Sequence, residues 1–137
     1  MSSWLYFAFR FILVHTLGHT AQARTVARRI FPHPEQEVLR AALVSQILEA
    51  DPRGYRAVMR ALARFNVRDR LSEISSPTMI ISGSADSTVP LPVQEQLVVG
   101  IPGARQAVIH GAGHAVIAEK PDKFNLLLLD FLTNYIQ

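Results

Sequence analysis

Apolar residues in the first part of the chain recur at helical spacing, and no segment there alternates with the period of two typical of a half-buried strand. Residues 4–17 form a strongly apolar run that we interpret as an amphipathic helix packed on a large surface. Pro34 suits the first turn of a second helix, and Asp51 followed by Pro52 predicts the N-cap and first turn of a third. We therefore expect residues 1–70 to form one helical region.

Broad apolar faces are predicted for the second and third helices. Their members are Val38, Leu39, Ala42, Leu43, Ile47 and Leu48 in the second helix, and Tyr55, Val58, Met59, Leu62 and Phe65 in the third. These positions recur every three or four residues, which is the spacing of a helix that packs along one side.

The pattern changes in residues 71–137, which we interpret as an α/β segment. Residues 78–82 and 106–109 are short apolar runs typical of parallel strands buried on both faces. A short helix is predicted over residues 92–99, and Pro121 opens a last helix. The residues of that helix expected to point inward are Phe124, Leu127, Leu128, Phe131 and Leu132. The order strand, helix, strand, helix predicts a right-handed parallel crossover.

Two strands are too few for a stable parallel sheet, and the sequence offers no other convincing strands. Both predicted strands are largely apolar, so each one needs neighbours and cover on both faces. We therefore expect the second half of the chain to form the edge of a larger sheet whose remaining strands belong to a different stretch of polypeptide.

The composition is that of a globular, soluble domain, with 49% hydrophobic and 18% charged residues. The chain has no cysteine, which excludes disulfides, thiolate metal sites and a cysteine nucleophile. The apolar run at residues 4–17 is shorter than the roughly 20 residues of a membrane span, and Arg10 interrupts it. Residues 21–23 resemble a signal-peptide cleavage site, but no basic residue precedes the apolar run. We expect a cytoplasmic protein.

The formal net charge is +3, and the basic residues are unevenly distributed along the chain: 11 of the 14 are arginines at or before position 70. Five of them would form one stripe on a helix: Arg53, Arg56, Arg60, Arg64 and Arg68. One interpretation is a surface for an anionic partner, and the other is an ordinary solvated helix face. We favour the solvated face, because no aromatic interleaving or nucleic-acid motif accompanies the stripe. We expect no nucleic-acid partner and no membrane partner.

Two residues stand where an α/β fold collects its chemistry. Asp86 and His114 each follow the carboxyl end of a predicted parallel strand, in glycine-containing loops. A carboxylate that holds an imidazole in one tautomer, with the imidazole taking a proton from a nucleophile, is the arrangement of a hydrolytic triad. A single aspartate or histidine in a loop more often caps its own backbone, but the pair in these contexts favours the catalytic interpretation.

Several segments in succession resemble the α/β-hydrolase fold family. Residues 74–90 resemble its acid-bearing strand and loop, and residues 101–105 resemble the turn before its last strand. Residues 111–114, followed by residues 119–124, resemble its histidine loop and closing helix. The match covers about residues 68–134, and residues 1–67 more weakly resemble the helical cap that many members insert before the acid strand. The resemblance implies a partial α/β-hydrolase fold, with Asp86 as the triad acid and His114 as the base.

The nucleophile of that family is missing. It lies in a Gly-x-Ser-x-Gly turn, which the sequence does not contain, and its oxyanion-hole donors are absent with it. Ser82 and Ser84 belong to the acid's own strand and loop, so we do not expect either to be the nucleophile. His15 and His19 are four residues apart, but no carboxylate completes a metal site beside them. We expect no metal and no cofactor.

Three hypotheses follow. The first is the cap and C-terminal portion of a serine hydrolase of the esterase, lipase or carbon–carbon hydrolase type, acting on a small apolar ester-type substrate. It would be a fragment or degenerate copy, or would act beside a separate N-terminal half. The second is a non-catalytic binding module of the same ancestry that associates with itself through residues 4–17 and its exposed sheet edge. The third is a membrane-surface or secreted protein. An upstream reading frame encoding Gly-x-Ser-x-Gly would favour the first hypothesis, and salt-sensitive binding to anionic vesicles would favour the third. We also expect marginal stability.

Overall fold

A computed structural model describes residues 18–135, and the chain divides at the Asn66–Val67 bond into two compact units. The first unit is helical. Its elements are helix α1 at Gly18–Ile30, a 3₁₀ turn at Pro34–Gln36, helix α2 at Glu37–Glu49 and helix α3 at Pro52–Arg64. The predicted helix over residues 4–17, together with Arg10 and His15, lies outside the described residues.

A few buried side chains hold the first unit together. Helix α1 packs on α2 and contributes the small buried residues Ala23 and Ala27, which let a neighbouring backbone approach closely. The Nε2 atom of His19 lies 2.8 Å from the carbonyl oxygen of Ile47, and its ring meets Tyr55 edge-on. His19 therefore has a structural role here, and no group of metal-ligating side chains occurs within residues 18–135.

Helix α3 begins as predicted. The Asp51 carboxylate accepts a hydrogen bond from the Arg53 amide at 2.8 Å, which caps one of the free N–H groups of the first turn. The helix ends at Arg64 because Phe65 is extended and its amide bonds back to Leu62. Arg68 therefore lies beyond α3, in the second unit, and the predicted stripe of five arginines is wrong at that position.

The predicted apolar faces of α2 and α3 are only partly buried. Met59 is buried, whereas several other members of the two faces are exposed: Val38, Leu48, Val58, Leu62 and Phe65. Part of each predicted apolar face is therefore uncovered within the described unit. The physical reason is geometric, because the apolar residues of α2 span too wide an arc for a single neighbouring helix to cover.

The second unit alternates strands and helices in the predicted order. Its elements are a 3₁₀ turn at Arg68–Glu73, strand β1 at Met79–Gly83, helix α4 at Leu91–Gly100, strand β2 at Arg105–Ile109, helix α5 at Val116–Glu119 and helix α6 at Pro121–Tyr135. The two strands pair in parallel, with Met79 opposite Arg105 and Gly83 opposite Ile109. Their carboxyl ends therefore meet at one edge of the sheet, and the α/β fold class is confirmed.

The core of this unit lies beneath that edge. Ile109, Ala112 and Val116 are buried together, and Ile81, Phe124 and Leu127 pack against them. Leu132 is 41% exposed, so its predicted inward orientation is wrong, because α6 buries only the side that meets this cluster. None of the helices in the described part of the chain is long and apolar enough to cross a membrane.

Candidate active site

The loop that carries Asp86, here called the acid loop, follows β1 and spans residues 84–90. The Asp86 amide bonds to the carbonyl oxygen of Gly83 at 3.2 Å, which turns the chain sharply after the strand. One carboxylate oxygen of Asp86, Oδ1, accepts hydrogen bonds from the amides of Thr88 at 2.7 Å and Val89 at 2.9 Å. These two bonds fix the carboxylate in the manner of an Asx turn and leave Oδ2 directed elsewhere.

The second oxygen of Asp86 meets His114. The Nδ1 atom of the imidazole lies 3.0 Å from Oδ2, and the side chain of Asp86 is only 5% exposed, against 37% for His114. Because an ionised carboxylate can only accept, this contact requires the proton on Nδ1 when the ring is neutral. The Nε2 atom then presents a lone pair, which is the state a general base needs.

The structure thus brings together the two residues singled out in the sequence, 28 positions apart. Within the described part of the chain it does not bring a nucleophile to them. Ser82 is buried and its hydroxyl accepts from the Gln106 side chain at 3.0 Å, while the Ser84 hydroxyl accepts from the Gly111 amide at 2.9 Å. Among residues 18–135, no hydroxyl hydrogen-bonds to the imidazole of His114.

Backbone hydrogen bonds join the acid loop to the histidine loop. The Ser84 amide bonds to the carbonyl oxygen of Ile109 at 3.1 Å, and the Ala85 amide bonds to that of Ala112 at 2.9 Å. The Gly111 amide also donates to the Ser84 hydroxyl. Together these three hydrogen bonds extend the pairing of β1 and β2 beyond the ends of the strands. The distance between Asp86 and His114 is therefore set by the backbone and not by the two side chains alone.

Gln94 also reaches the acid. Its side-chain amide nitrogen lies 3.3 Å from Oδ2 of Asp86 and 2.6 Å from the carbonyl oxygen of Val89. Both partners are acceptors, so the NH₂ group must face them. Sequence reasoning missed this residue, because Gln94 and Gln96 stand in the same apolar helix and nothing in the pattern distinguishes them.

Glu119 was noted in the sequence only as part of the closing motif. Its carboxylate accepts from the Gly113 amide at 3.0 Å and from the Ala115 amide at 3.2 Å, so it holds the backbone on both sides of His114. The position of Glu119 five residues after His114 is the sequence signal that could have identified it as a partner of the histidine loop. A short turn can return a carboxylate to the loop that precedes it.

A shallow groove lies away from this pair. It has a volume of about 400 Å³ and is lined by residues of the 3₁₀ turn and of α4: Arg68, Leu71, Pro92, Glu95, Gln96, Val99 and Gly100. Neither Asp86 nor His114 lines it. The groove therefore belongs to a different surface of the second unit.

Comparison with known proteins gives this arrangement a context. The structure matches that of an enol-lactonase from Burkholderia xenovorans LB400 with a TM-score of 0.83 and 26% sequence identity, over 93% of this chain and 50% of the lactonase. The chain has a partial α/β-hydrolase fold. An esterase from Exiguobacterium antarcticum shows the same fold, with a TM-score of 0.83 and 21% identity over 93% of this chain and 48% of the esterase.

Several sequence relatives of this chain are named as hydrolases. A 2-hydroxy-6-oxononadienedioate/2-hydroxy-6-oxononatrienedioate hydrolase from Cupriavidus pinatubonensis is 40% identical over 65 residues, which is 47% of this chain and 22% of that enzyme. The chain spans about half the length of the solved hydrolases it matches, and no family model matches the sequence. The resemblance drawn from the sequence, including its partial extent, is thereby confirmed.

Proposed function

We propose that this chain is the C-terminal portion of a serine hydrolase that cleaves small, apolar ester-type substrates. Asp86 is its triad acid and His114 its general base. The observation on which this rests is the 3.0 Å contact between the buried Asp86 carboxylate and the imidazole of His114. Similarity to hydrolases, among them a solved esterase and a solved lactonase, supports the reaction class.

In this proposal the nucleophilic serine and the oxyanion-hole donors belong to a polypeptide segment other than these 137 residues. Nε2 of His114 removes the serine proton as the serine oxygen bonds to the acyl carbon. The resulting imidazolium, stabilised by Asp86, returns that proton to the departing alkoxide as the ester C–O bond breaks. Water then attacks the acyl carbon and gives a proton to Nε2, and Nε2 returns that proton to the serine oxygen as the serine–acyl bond breaks and the free acid leaves.

The exposure of the two side chains suits these roles. Asp86 is almost fully enclosed, so its charge acts on the imidazole and not on solvent. The side chain of His114 is 37% exposed, which leaves room for a hydroxyl donor to reach Nε2. A cytoplasmic location and the absence of membrane and nucleic-acid partners belong to the same proposal, as expected for an enzyme that acts on a small molecule.

The test is hydrolysis of a short-chain chromogenic ester by the 137-residue chain, alone and mixed with the polypeptide encoded immediately upstream. We expect turnover only in the mixture, and its loss with His114→Ala. His110→Ala is the matched control, because His110 is an exposed histidine that directly follows β2 in the same loop region. Equal turnover by the His114→Ala mixture would overturn the proposal. Turnover by the chain alone that His114→Ala abolishes would instead reveal a nucleophile within it.

A second candidate is a non-catalytic module that associates with itself. Exposed leucines favour it, because Leu126 and Leu129 on α6 are 70% and 61% exposed. Sedimentation over a range of concentrations separates the two ideas. A stable dimer that Leu126→Asp together with Leu129→Asp dissociates would favour the module, whereas a monomer at all concentrations would exclude it.

A further inference from the structure

We propose that Glu119 is the positioning residue for His114, holding the histidine loop so that the imidazole faces Asp86. The inference rests on the proposed role of His114 as the base. Glu119 is the last residue of α5, and its carboxylate turns back toward the loop that precedes the helix. The hydrogen bonds that carry the inference run from Glu119 to backbone amides beside the histidine.

The geometry is a two-point clamp. Oε2 of Glu119 accepts from the Gly113 amide at 3.0 Å, and Oε1 accepts from the Ala115 amide at 3.2 Å. These amides belong to the residues immediately before and after His114. Because both amides are held, rotation of the backbone around His114 is limited. The direction in which the Cβ atom of His114 points is therefore limited too.

Close packing supports the same conclusion. A Cβ atom at Gly113 would stand 2.8 Å from Oε1 of Glu119, so the carboxylate occupies the space that any larger residue would need. Gly113 and Val116 are buried on either side of the histidine, which lowers the local dielectric and strengthens hydrogen bonds to an ionised acceptor. Hydrogen bonds from amides to a charged acceptor are roughly twice as strong as neutral ones.

Carboxylate chemistry is essential to this clamp because both partners are donors. Glu119→Gln keeps the shape of the side chain but replaces one acceptor oxygen with an NH₂ group that would face an N–H. One of the two bonds must then be lost. Glu119→Asp keeps both acceptors but is one methylene shorter, so it reaches at most one of the two amides.

The experiment uses the full chain labelled with ¹⁵N. Amide hydrogen exchange is measured at Gly113 and Ala115, and the ring nitrogens of His114 report its tautomer. With Glu119→Gln we expect exchange at one or both amides to rise about tenfold or more, and the Nδ1–H form of His114 to give way to a mixture of tautomers. Glu119→Asp, which also loses at least one of the two bonds, should shift both readouts in the same direction and to at least the same extent.

Glu95→Gln is the control, since Glu95 is an exposed carboxylate on α4 and loses the same charge. It should leave both readouts at parental values. The inference would be overturned if Glu119→Gln kept the amide exchange rates and the His114 tautomer of the unmutated chain. If Glu119→Gln fails to fold, Glu119→Asp decides it by the same two readouts. A parent in which His114 shows no Nδ1–H preference would instead contradict the proposed pairing with Asp86, so the two failures are distinguishable.

Discussion

Gly83, at the end of β1, lies so close to the histidine loop that a Cβ atom on it would overlap the carbonyl oxygen of Gly113. The carbonyl oxygen of Ala112 lies equally in the way. Both obstacles are backbone atoms, which cannot move aside as a flexible side chain can. This close approach explains why residue 83 is a glycine, since any side chain there would overlap the backbone of the loop that carries His114.

Gly83→Ala is therefore expected to push the two loops apart. We expect the free energy of unfolding to fall by about 1–3 kcal/mol, as for other insertions of a methyl group into packed structure. Urea denaturation followed by circular dichroism measures this. Gly54→Ala is the control. A Cβ atom at Gly54, in helix α3, would lie 4.0 Å from the nearest neighbouring atom, and alanine there should raise the free energy of unfolding by about 0.5–1 kcal/mol. Equal stability of the two variants would contradict the close approach.

Asp86→Asn tests the electrostatic partner of the base. Asparagine can keep an oxygen toward the amides of Thr88 and Val89, but it then turns an NH₂ group toward Nδ1 of His114. We expect the imidazole to adopt the opposite tautomer, with its proton on Nε2, which ¹⁵N spectra of the ring detect. Wherever the chain supports ester hydrolysis, the rate should fall about a thousandfold or more. Asp122→Asn, at an exposed carboxylate, should change neither quantity.

Gln94→Met removes the side-chain donor shared by Asp86 and Val89. We expect a loss of about 1 kcal/mol in the free energy of unfolding, because the half-buried carbonyl oxygen of Val89 loses its hydrogen bond at similar side-chain volume. Gln96→Met, two residues along the same helix and exposed, should stay within about 0.5 kcal/mol of the parent. Denaturation curves that move equally for both variants would show that Gln94 has no special role.

Ser82 and Ser84 are expected to be unreactive toward a fluorophosphonate probe, which labels activated serines. Each hydroxyl is already a hydrogen-bond acceptor within the fold, and neither bonds to His114. Mass spectrometry of the treated chain should find no adduct on either residue. An adduct on Ser82 or Ser84 that His114→Ala prevents would make that serine the nucleophile and contradict our assignment.

Much of the fold was predictable because its signals are local. Proline and Asp51 marked helix starts, and the β-branched runs marked both strands to within a residue or two. The exposed parts of α2 and α3 were not predictable, because periodicity shows which side of a helix is apolar but not how much of it a neighbour covers. Arg68 was misassigned for a related reason, since the helical spacing of the arginines continues after the helix itself has ended at Arg64.

The sequence by itself determined the identity of Asp86 and His114 as the acid and base candidates, the α/β order around them, and the lack of a Gly-x-Ser-x-Gly turn. These depend on residue types and on their places after strands, which can be read along the chain. Only the tertiary structure decided that the two side chains meet at 3.0 Å, that Gln94 contacts Asp86 and that Glu119 holds the backbone around His114. Such contacts depend on where a parallel pairing and a helical crossover bring distant residues, and sequence spacing does not encode those distances.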